Sequence, residues 1–285
     1  MSIESRTRIA PEHSRLAGRT ILMSGGSRGI GLAIATAVAR AGANVALLSK
    51  TDTPQPNLEG TIHTAVQQIN DAGGHGLAVV GDVRVDEDIQ RAVRQTVEAF
   101  GGIDIVVNNA SAINLATTDQ LDMKRYDLMQ DINVRGTFLL SKTALPHLHD
   151  SGHAHILTLS PPLNLDPRWA GRHLGYTMAK YGMSMTTLGL AEELKDAGIA
   201  VNSLWPETLI DTAAIRNLPG GEQMIQGARS AEIVADAALA ILASDPAGVS
   251  GNFFTDAQVL NLAGVSDLSG YSLNPDVALV EDIFL

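Results

Sequence analysis

Tyr176 and Lys180 stand four positions apart in Tyr176-Thr177-Met178-Ala179-Lys180. On a helix that spacing puts a phenol and an ammonium on one face, one turn apart. A free tyrosine titrates near ~10 and is a poor acid–base catalyst at neutral pH. A fixed cation favours the phenolate: at ~4 Å and an effective dielectric near 20 the attraction is about 4 kcal/mol, an upper bound of roughly three pKa units. A phenol so acidified can hand a proton to a substrate oxygen or take one from it. Tyr-x-x-x-Lys alone equally describes a half-buried tyrosine beside a surface lysine. Its weight comes from a second feature far upstream.

That feature is Ser24-Gly25-Gly26-Ser27-Arg28-Gly29-Ile30-Gly31, which follows the apolar run Thr20-Ile21-Leu22-Met23 and opens an alanine-rich, helix-like run over 32–39. A strand, a glycine-rich turn and a helix form the setting in which such a loop binds a dinucleotide. Gly25 permits a tight exit from the strand, Gly29 lets a pyrophosphate approach the backbone, and Gly31 lets the helix pack closely on the sheet. Ser27, Arg28 and Ile30 complete the turn, and the free N–H groups at the helix start face the phosphates. The spacing is G-x-x-x-G-x-G, unlike the G-x-G-x-x-G of many dehydrogenases.

With Asn108-Asn109-Ala110 after a fourth strand and Asn133 in a following helix, these motifs resemble the short-chain dehydrogenase/reductase family from about residue 19 to about residue 256. The resemblance implies that Tyr176 is the acid–base, that Lys180 lowers its pKa and grips the nicotinamide ribose, and that Asn133 supports a water linking the lysine to solvent. It also implies that Asp82, in Gly81-Asp82-Val83, hydrogen-bonds the adenine amino group, with Asn109 and Ala110 bordering the cofactor. A closer likeness, carried by Asn109-Ala110-Ser111-Ala112-Ile113, by the run Ile156–Leu165 and by Ala179-Lys180-Tyr181-Gly182-Met183-Ser184-Met185, is to the hydroxysteroid-dehydrogenase-like protein 2 branch. By that likeness the chain is expected to be a reductase domain only, acting on a lipophilic carbonyl or alcohol and placed in lipid metabolism. The family commonly forms dimers and tetramers through its fourth and fifth helices, the latter 176–197 here, so a homodimer or homotetramer is expected.

Two departures from the family stand out. The family serine that polarises the substrate carbonyl belongs 13 residues before the tyrosine, where this chain has Leu163, and Ser160 is followed by Pro161-Pro162. Either Pro161 takes the serine position and the hydroxyl is gone, or a small insertion lets Ser160 reach the site; Ser160 is taken as the contributor. Asn164 is a further candidate, since an amide can donate to a developing oxyanion. The second departure is Trp205-Pro206-Glu207-Thr208 in place of the usual Pro-Gly, where a glutamate beside the nicotinamide needs room and a partner. Ile210-Asp211-Thr212 then carries the backbone expected to meet the carboxamide.

The end of the second strand bears on the cofactor. An NAD enzyme usually places an acid there to hold the ribose hydroxyls. Here the strand ends Leu47-Leu48-Ser49-Lys50. Lys50 offers a point charge to a 2′-phosphate and Arg28 a guanidinium fork, so NADP(H) is expected in preference to NAD(H). Asp52 would weaken this if it turned inward.

The elements that must position these residues alternate between strand and helix. Strands are expected at 20–23, 44–48, 76–80, 103–108, 154–160, 199–205 and 252–255, and helices at 30–41, 61–72, 86–100, 123–149, 176–197 and 230–243. The pattern reads as one α/β, Rossmann-type doubly wound parallel sheet of about seven strands, with helices on both faces and a single domain over 1–285. Residues 1–17 read as an arm, 257–285 as a surface-running tail or interface segment, and 212–229, with Leu218-Pro219-Gly220-Gly221, as a mobile lid. Thr51-Asp52-Thr53-Pro54-Gln55-Pro56-Asn57 is a proline-punctuated insertion near the adenosine ribose.

Composition narrows the rest. The chain has 285 residues, 45% of them hydrophobic, enough for one domain with a substantial core. Its net charge of −11 argues against a nucleic-acid partner, because no basic stripe replaces counterions. No cysteine is present. No apolar run approaches membrane-spanning length and the N-terminus lacks an apolar signal core, which makes a cytoplasmic location the default. His147/His149 and His153/His155 are spaced i, i+2, which does not put two rings on one helical face, and no metal is expected. Met178, Met183 and Met185 read as core and pocket filling, and Trp169 and His173 as possible substrate contacts. Two readings remain: an NADP(H)-dependent oxidoreductase, or an NADP(H)-binding regulatory or scaffold protein whose catalysis has weakened.

Overall fold

Seven short, mostly apolar strands pair into one parallel sheet in the order β3-β2-β1-β4-β5-β6-β7. The computed structural model describes residues 7–55, 59–217 and 220–285. In chain order the first half is β1 (Thr20–Ser24), α1 (Gly29–Arg40), β2 (Asn44–Ser49), α2 (Ile62–Asp71), β3 (His75–Val80), α3 (Asp86–Phe100) and β4 (Ile105–Asn108). The second half begins with α4 (Met123–Met129), α5 (Gly136–His149), β5 (His155–Thr158), α6 (Pro167–Arg172) and α7 (Leu174–Glu193). It continues through β6 (Ala200–Trp205), α8 (Ala213–Arg216), α9 (Gly221–Met224), α10 (Glu232–Leu242), β7 (Phe253–Thr255) and α11 (Asp256–Leu262). All seven expected strands form, with ends shifted by one or two residues.

Strand alternation divides the core in two. In β1, Ile21 and Met23 join Ile34 and Val38 of α1 and the apolar face of α10, while Leu22 joins Ile89 and Val93 of α3 and Leu140 and Ala144 of α5. Both faces of the strand are therefore covered, which is why β1 reads as an unbroken apolar run rather than an alternating one. Ile21 stands opposite Val45 on one side and Ile105 on the other, so β1 is an interior strand of the sheet. The strand order reverses between β1 and β4, and a crevice at the carboxyl ends of the strands follows from that reversal.

Several elements depart from their expected form. The helix expected over 123–149 is interrupted by a π-helical turn, Gln130–Arg135, between α4 and α5. Such turns insert a residue into the helical ladder and re-aim side chains, often at functional positions. The described part of the N-terminal arm is docked, not free. Arg8 and Glu12 donate backbone N–H groups to Gly248 and Ala243, and Leu16 is fully buried. The segment from 257 onward does not run along the surface throughout. It opens with α11, whose Thr255 and Gln258 form a capping box, and it ends with Phe284 at 0% exposure. Residues 1–6 of the arm, 56–57 of the insertion and 218–219 of the lid lie outside the described residues.

Candidate active site

One cleft of about 590 Å³ runs along the carboxyl edge of the sheet. Its nucleotide end is framed by Gly25–Gly31 after β1, Ser49 to Thr51 after β2, Gly81 and Asp82 after β3, and Asn109 and Ala110 after β4. Its other end is lined by Tyr176 and Lys180 of α7, by Trp205 and Pro206 after β6, and by aliphatic residues including Ile113, Leu115, Leu209 and Ile215.

The glycine turn has room for backbone and little else. Gly25 has φ +78°, and a Cβ there would stand 2.6 Å from Asn109 Nδ2. A Cβ on Gly31 would collide with the same amide group and with the Gly26 backbone. Ser24 ties the turn to β4 by accepting the Asn109 and Ala110 backbone N–H groups at 3.2 and 3.1 Å, and Asn109 Nδ2 donates to the Ser24 carbonyl at 3.2 Å. The start of the twelve-residue α1 thus opens onto the cleft across a strip of bare backbone. A pyrophosphate fits that cradle of unsatisfied N–H groups.

Positive groups stand at the rim. Arg28 is steered by two carbonyls, donating to Glu59 O at 3.0 Å and Gly60 O at 2.9 Å, and it still lines the cleft. Lys50 is exposed at the tip of β2 and also lines the cleft. Asp52 pairs with His63 on α2 at 2.6 Å. Asp82 lines the cleft, but its carboxylate is gripped by Arg84 at 2.6 to 3.0 Å, and those hydrogen bonds hold it below the usual carboxylate range.

Tyr176 and Lys180 share one face of α7 as their spacing requires, and both are buried. Lys180 Nζ donates to the Leu159 carbonyl at 2.8 Å, lies 3.5 Å from Met183 Sδ and sits over the Trp205 ring at 5.1 Å from its centroid. Burial pulls its ammonium down to about 7, with Asp282 opposing. Burial pushes the Tyr176 phenol up, and the Asp282 carboxylate adds to the rise. Desolvation is the largest influence on both groups.

Ser160 is not brought to the cleft. It is 0% exposed, and its hydroxyl bonds Ser203 Oγ at 2.7 Å, which in turn donates to Thr187 at 2.8 Å, behind β5 and β6. Asn164 does not line the cleft either: its side-chain oxygen accepts the Asp166 N–H at 3.0 Å and its carbonyl accepts the Tyr181 hydroxyl. Asn133, in the π-helical turn, clamps the backbone of Ala112 from both sides, accepting its N–H at 2.7 Å and donating to its carbonyl at 3.0 Å. Ala112 lines the cleft, so the amide sets that wall. Glu207 has the partner it needs: its carboxylate accepts from Thr255 Oγ1 at 3.1 Å, and its N–H donates to Asp256 at 2.9 Å.

Trp169 and His173 do not line the cleft. They pack, with Tyr181 and Trp205, around Phe284 beneath Tyr176. Met183 is buried, whereas Met178 and Met185 are about half exposed on the outer side of α7, contrary to the expectation that they fill core or pocket. His153 and His155 stack edge to face at 4.8 Å, and burial drives both down, His155 to about 3. Asp282 and Ile283, which nothing in the sequence marked, line the cleft beside Lys180. The apolar run Ile283-Phe284-Leu285 was the available signal.

The profile of the short chain dehydrogenase family matches residues 19–222, from the glycine turn through the tyrosine helix, and the chain belongs to that family of nicotinamide-dependent oxidoreductases. Among curated proteins it is similar to hydroxysteroid dehydrogenase-like protein 2 of Danio rerio, 52% identical over 271 residues that cover 95% of this chain and 65% of that relative. The chain therefore spans just under two thirds of that relative's length. A short chain dehydrogenase from Mycobacterium thermoresistibile superposes with a TM-score of 0.90 at 50% identity, covering 95% of this chain and 96% of that one. An NADH-dependent reductase solved with NAD superposes with a TM-score of 0.69 at 26% identity, covering 86% and 97%. No described helix is long and apolar enough to cross a membrane.

Proposed function

We propose that the protein is an NADP(H)-dependent oxidoreductase that reduces the carbonyl of a neutral, lipophilic small molecule, with Tyr176 as proton donor. The observation that carries this is the continuity of the cleft: the glycine cradle and the Tyr176–Lys180 pair line a single cavity. When bound, the reduced nicotinamide supplies a hydride to the carbonyl carbon. Tyr176 gives its proton to the carbonyl oxygen as that oxygen gains charge. Burial keeps the phenol in its protonated form, the form a proton donor needs, and the bound cofactor and substrate would have to favour release of that proton. Lys180, held by Leu159 and lining the cleft, would hold the cofactor's ribose by its remaining N–H groups. Asn133 fixes Ala112, part of the cleft wall that would hold the cofactor.

Lys50 and Arg28 favour a 2′-phosphate, and Asp52 is turned toward His63 instead of repelling it. The NADH-dependent structural relative makes direct comparison of the two cofactors the necessary control. The aliphatic lining supports a lipophilic substrate, and the name carried by the vertebrate relatives points to hydroxysteroid-like compounds within that class.

Turnover of NADPH against a panel of aliphatic, terpenoid and steroid aldehydes and ketones tests the proposal. Tyr176→Phe is expected to lower kcat at least about 10²-fold while leaving the NADPH dissociation constant within about threefold. A Tyr176→Phe enzyme with undiminished kcat overturns it. The alternative, a cofactor-binding regulator with weakened catalysis, draws on Ser160 standing outside the cleft. It is favoured if NADPH binds and no panel member oxidises it.

A further inference from the structure

The chain segment 280–285 enters the substrate end of the cleft, and the proposed reaction gives it no task. Backbone pairing fixes it at several points. Val280 donates to Gly227 O at 2.8 Å and accepts from Leu209 N–H at 2.9 Å, and Asp282 donates to Glu207 O at 3.0 Å. Ile283 O then accepts the Trp205 indole N–H at 3.0 Å. Phe284 closes the attachment. Its ring centroid lies 5.3 Å from Tyr181, 5.6 Å from His173, 5.9 Å from both Trp169 and Trp205, and 6.1 Å from Tyr176. Among the described residues Phe284 alone has a positive φ without being glycine, 78°. A conformation that unfavourable for an aromatic residue persists only where surrounding contacts over-determine it. The five-ring cage does so.

The two side chains just before the latch, Asp282 and Ile283, line the cleft beside Tyr176 and Lys180. One Asp282 oxygen accepts the Ile283 N–H at 2.7 Å. Burial pushes the Asp282 carboxyl up to about 7, so it is mostly ionised only above that pH. The charges facing it are the Asp256 carboxylate from the head of α11, which adds to the rise, and the Lys180 ammonium from α7, which opposes it. Lys180 already donates to Leu159 and lies over the Trp205 ring, so it is a weak counter-charge for a ligand on the substrate side.

We propose that residues 280–285 form the selectivity wall of the substrate pocket, latched by Phe284, in which Ile283 receives an apolar chain and the Asp282 carboxylate excludes compounds bearing a negative charge next to the carbonyl. This rests on the carbonyl-reduction reading above and narrows its substrate class to neutral ketones and aldehydes, excluding 2-oxo acids. An anion brought close to Asp282 in a partly desolvated cleft meets repulsion that neither water nor Lys180 cancels.

The test compares a medium-chain 2-ketone with the 2-oxo acid of the same length, using NADPH at pH 8. Wild type is expected to prefer the ketone in kcat/KM by at least about 100-fold, and Asp282→Asn to cut that ratio at least tenfold. A second readout needs no turnover. The chain has two tryptophans, Trp169 and Trp205, and both pack on Phe284. Their fluorescence in the NADP⁺ form reports ligand binding, and acrylamide quenching reports the latch. Phe284→Leu, which keeps an apolar residue in the cage, is expected to raise quenching and weaken ketone binding about tenfold. If wild type reduces neither compound, the reductase reading fails, while tenfold tighter binding of the ketone, lost in Asp282→Asn, still upholds the wall. Equal turnover or binding of ketone and oxo acid, or a ratio unmoved by Asp282→Asn, overturns it.

Discussion

Ser160 shows how one residue's partners decide its role. A hydroxyl at the end of β5 is in the right stretch of sequence to polarise a substrate, but this one points between β5 and β6 into the chain Ser160–Ser203–Thr187. Ser160→Ala is therefore expected to leave kcat/KM within about twofold and to cost about 1 kcal/mol of stability by denaturant unfolding, because Ser203 keeps Thr187 as a partner. A hundredfold loss of turnover would instead put the hydroxyl in the site. Lys180 makes a second residue-level expectation. Its ammonium, pulled down by burial to about 7, is charged below that value and neutral above it, so reductase kcat/KM is expected to fall as pH rises through about 7. Tyr176, displaced upward, stays protonated across that window and does not add a limb there. Because the Asp282 carboxylate raises the Lys180 value, Asp282→Asn should move the falling limb to lower pH. A flat profile from pH 6 to 8.5 would remove the lysine charge from the mechanism.

At the scale of elements, what the sequence discloses depends on how local the determining contacts are. β1, the glycine turn and α1 were legible because strand, turn and helix are contiguous and each declares itself within a few residues. β2 and β4 were legible because burial on both faces writes continuous apolar runs, Val45-Ala46-Leu47-Leu48 and Ile105-Val106-Val107. α11 could have been read from its capping box, Thr255 and Gln258, though it lay in a stretch taken as tail. The π-helical turn has no sequence sign of its own: an inserted residue between α4 and α5 leaves apolar spacing nearly intact while rotating Asn133 onto Ala112. The segment 280–285 was illegible for a different reason. Phe284 finds Trp169, His173, Tyr176 and Tyr181 more than a hundred residues upstream in the chain and Trp205 on a separate strand, and no periodicity links them. Tyr176 and Lys180 were readable as a pair, while their burial was not, since it depends on these distant contacts.

For the whole molecule, the outward face of α7 is the feature that its own core does not explain. Leu174, Met178, Met185 and Leu188 are 40, 49, 54 and 45% exposed, and at 100° per residue they fall within one narrow arc of the helix. Phe138 on the adjacent α5 is 52% exposed as well. Helix faces with this much apolar surface usually meet another chain, and the family resemblance makes α5 and α7 the pair through which copies are expected to associate. A two-fold contact would lay the stripe of one copy against that of the next, with Met side chains adapting to the fit. It would also stiffen the helix that carries Tyr176 and Lys180 on its opposite, buried side. Sedimentation velocity is expected to show a dimer or tetramer for the unaltered chain and a monomer for Met185→Glu combined with Leu188→Glu, since two carboxylates on each side of a two-fold interface would face their own copies. The same variant should keep the NADPH dissociation constant within about threefold, because the cradle between β1 and β4 lies on another edge of the sheet. A double variant that sediments with the unaltered protein would show that this stripe is not where copies meet.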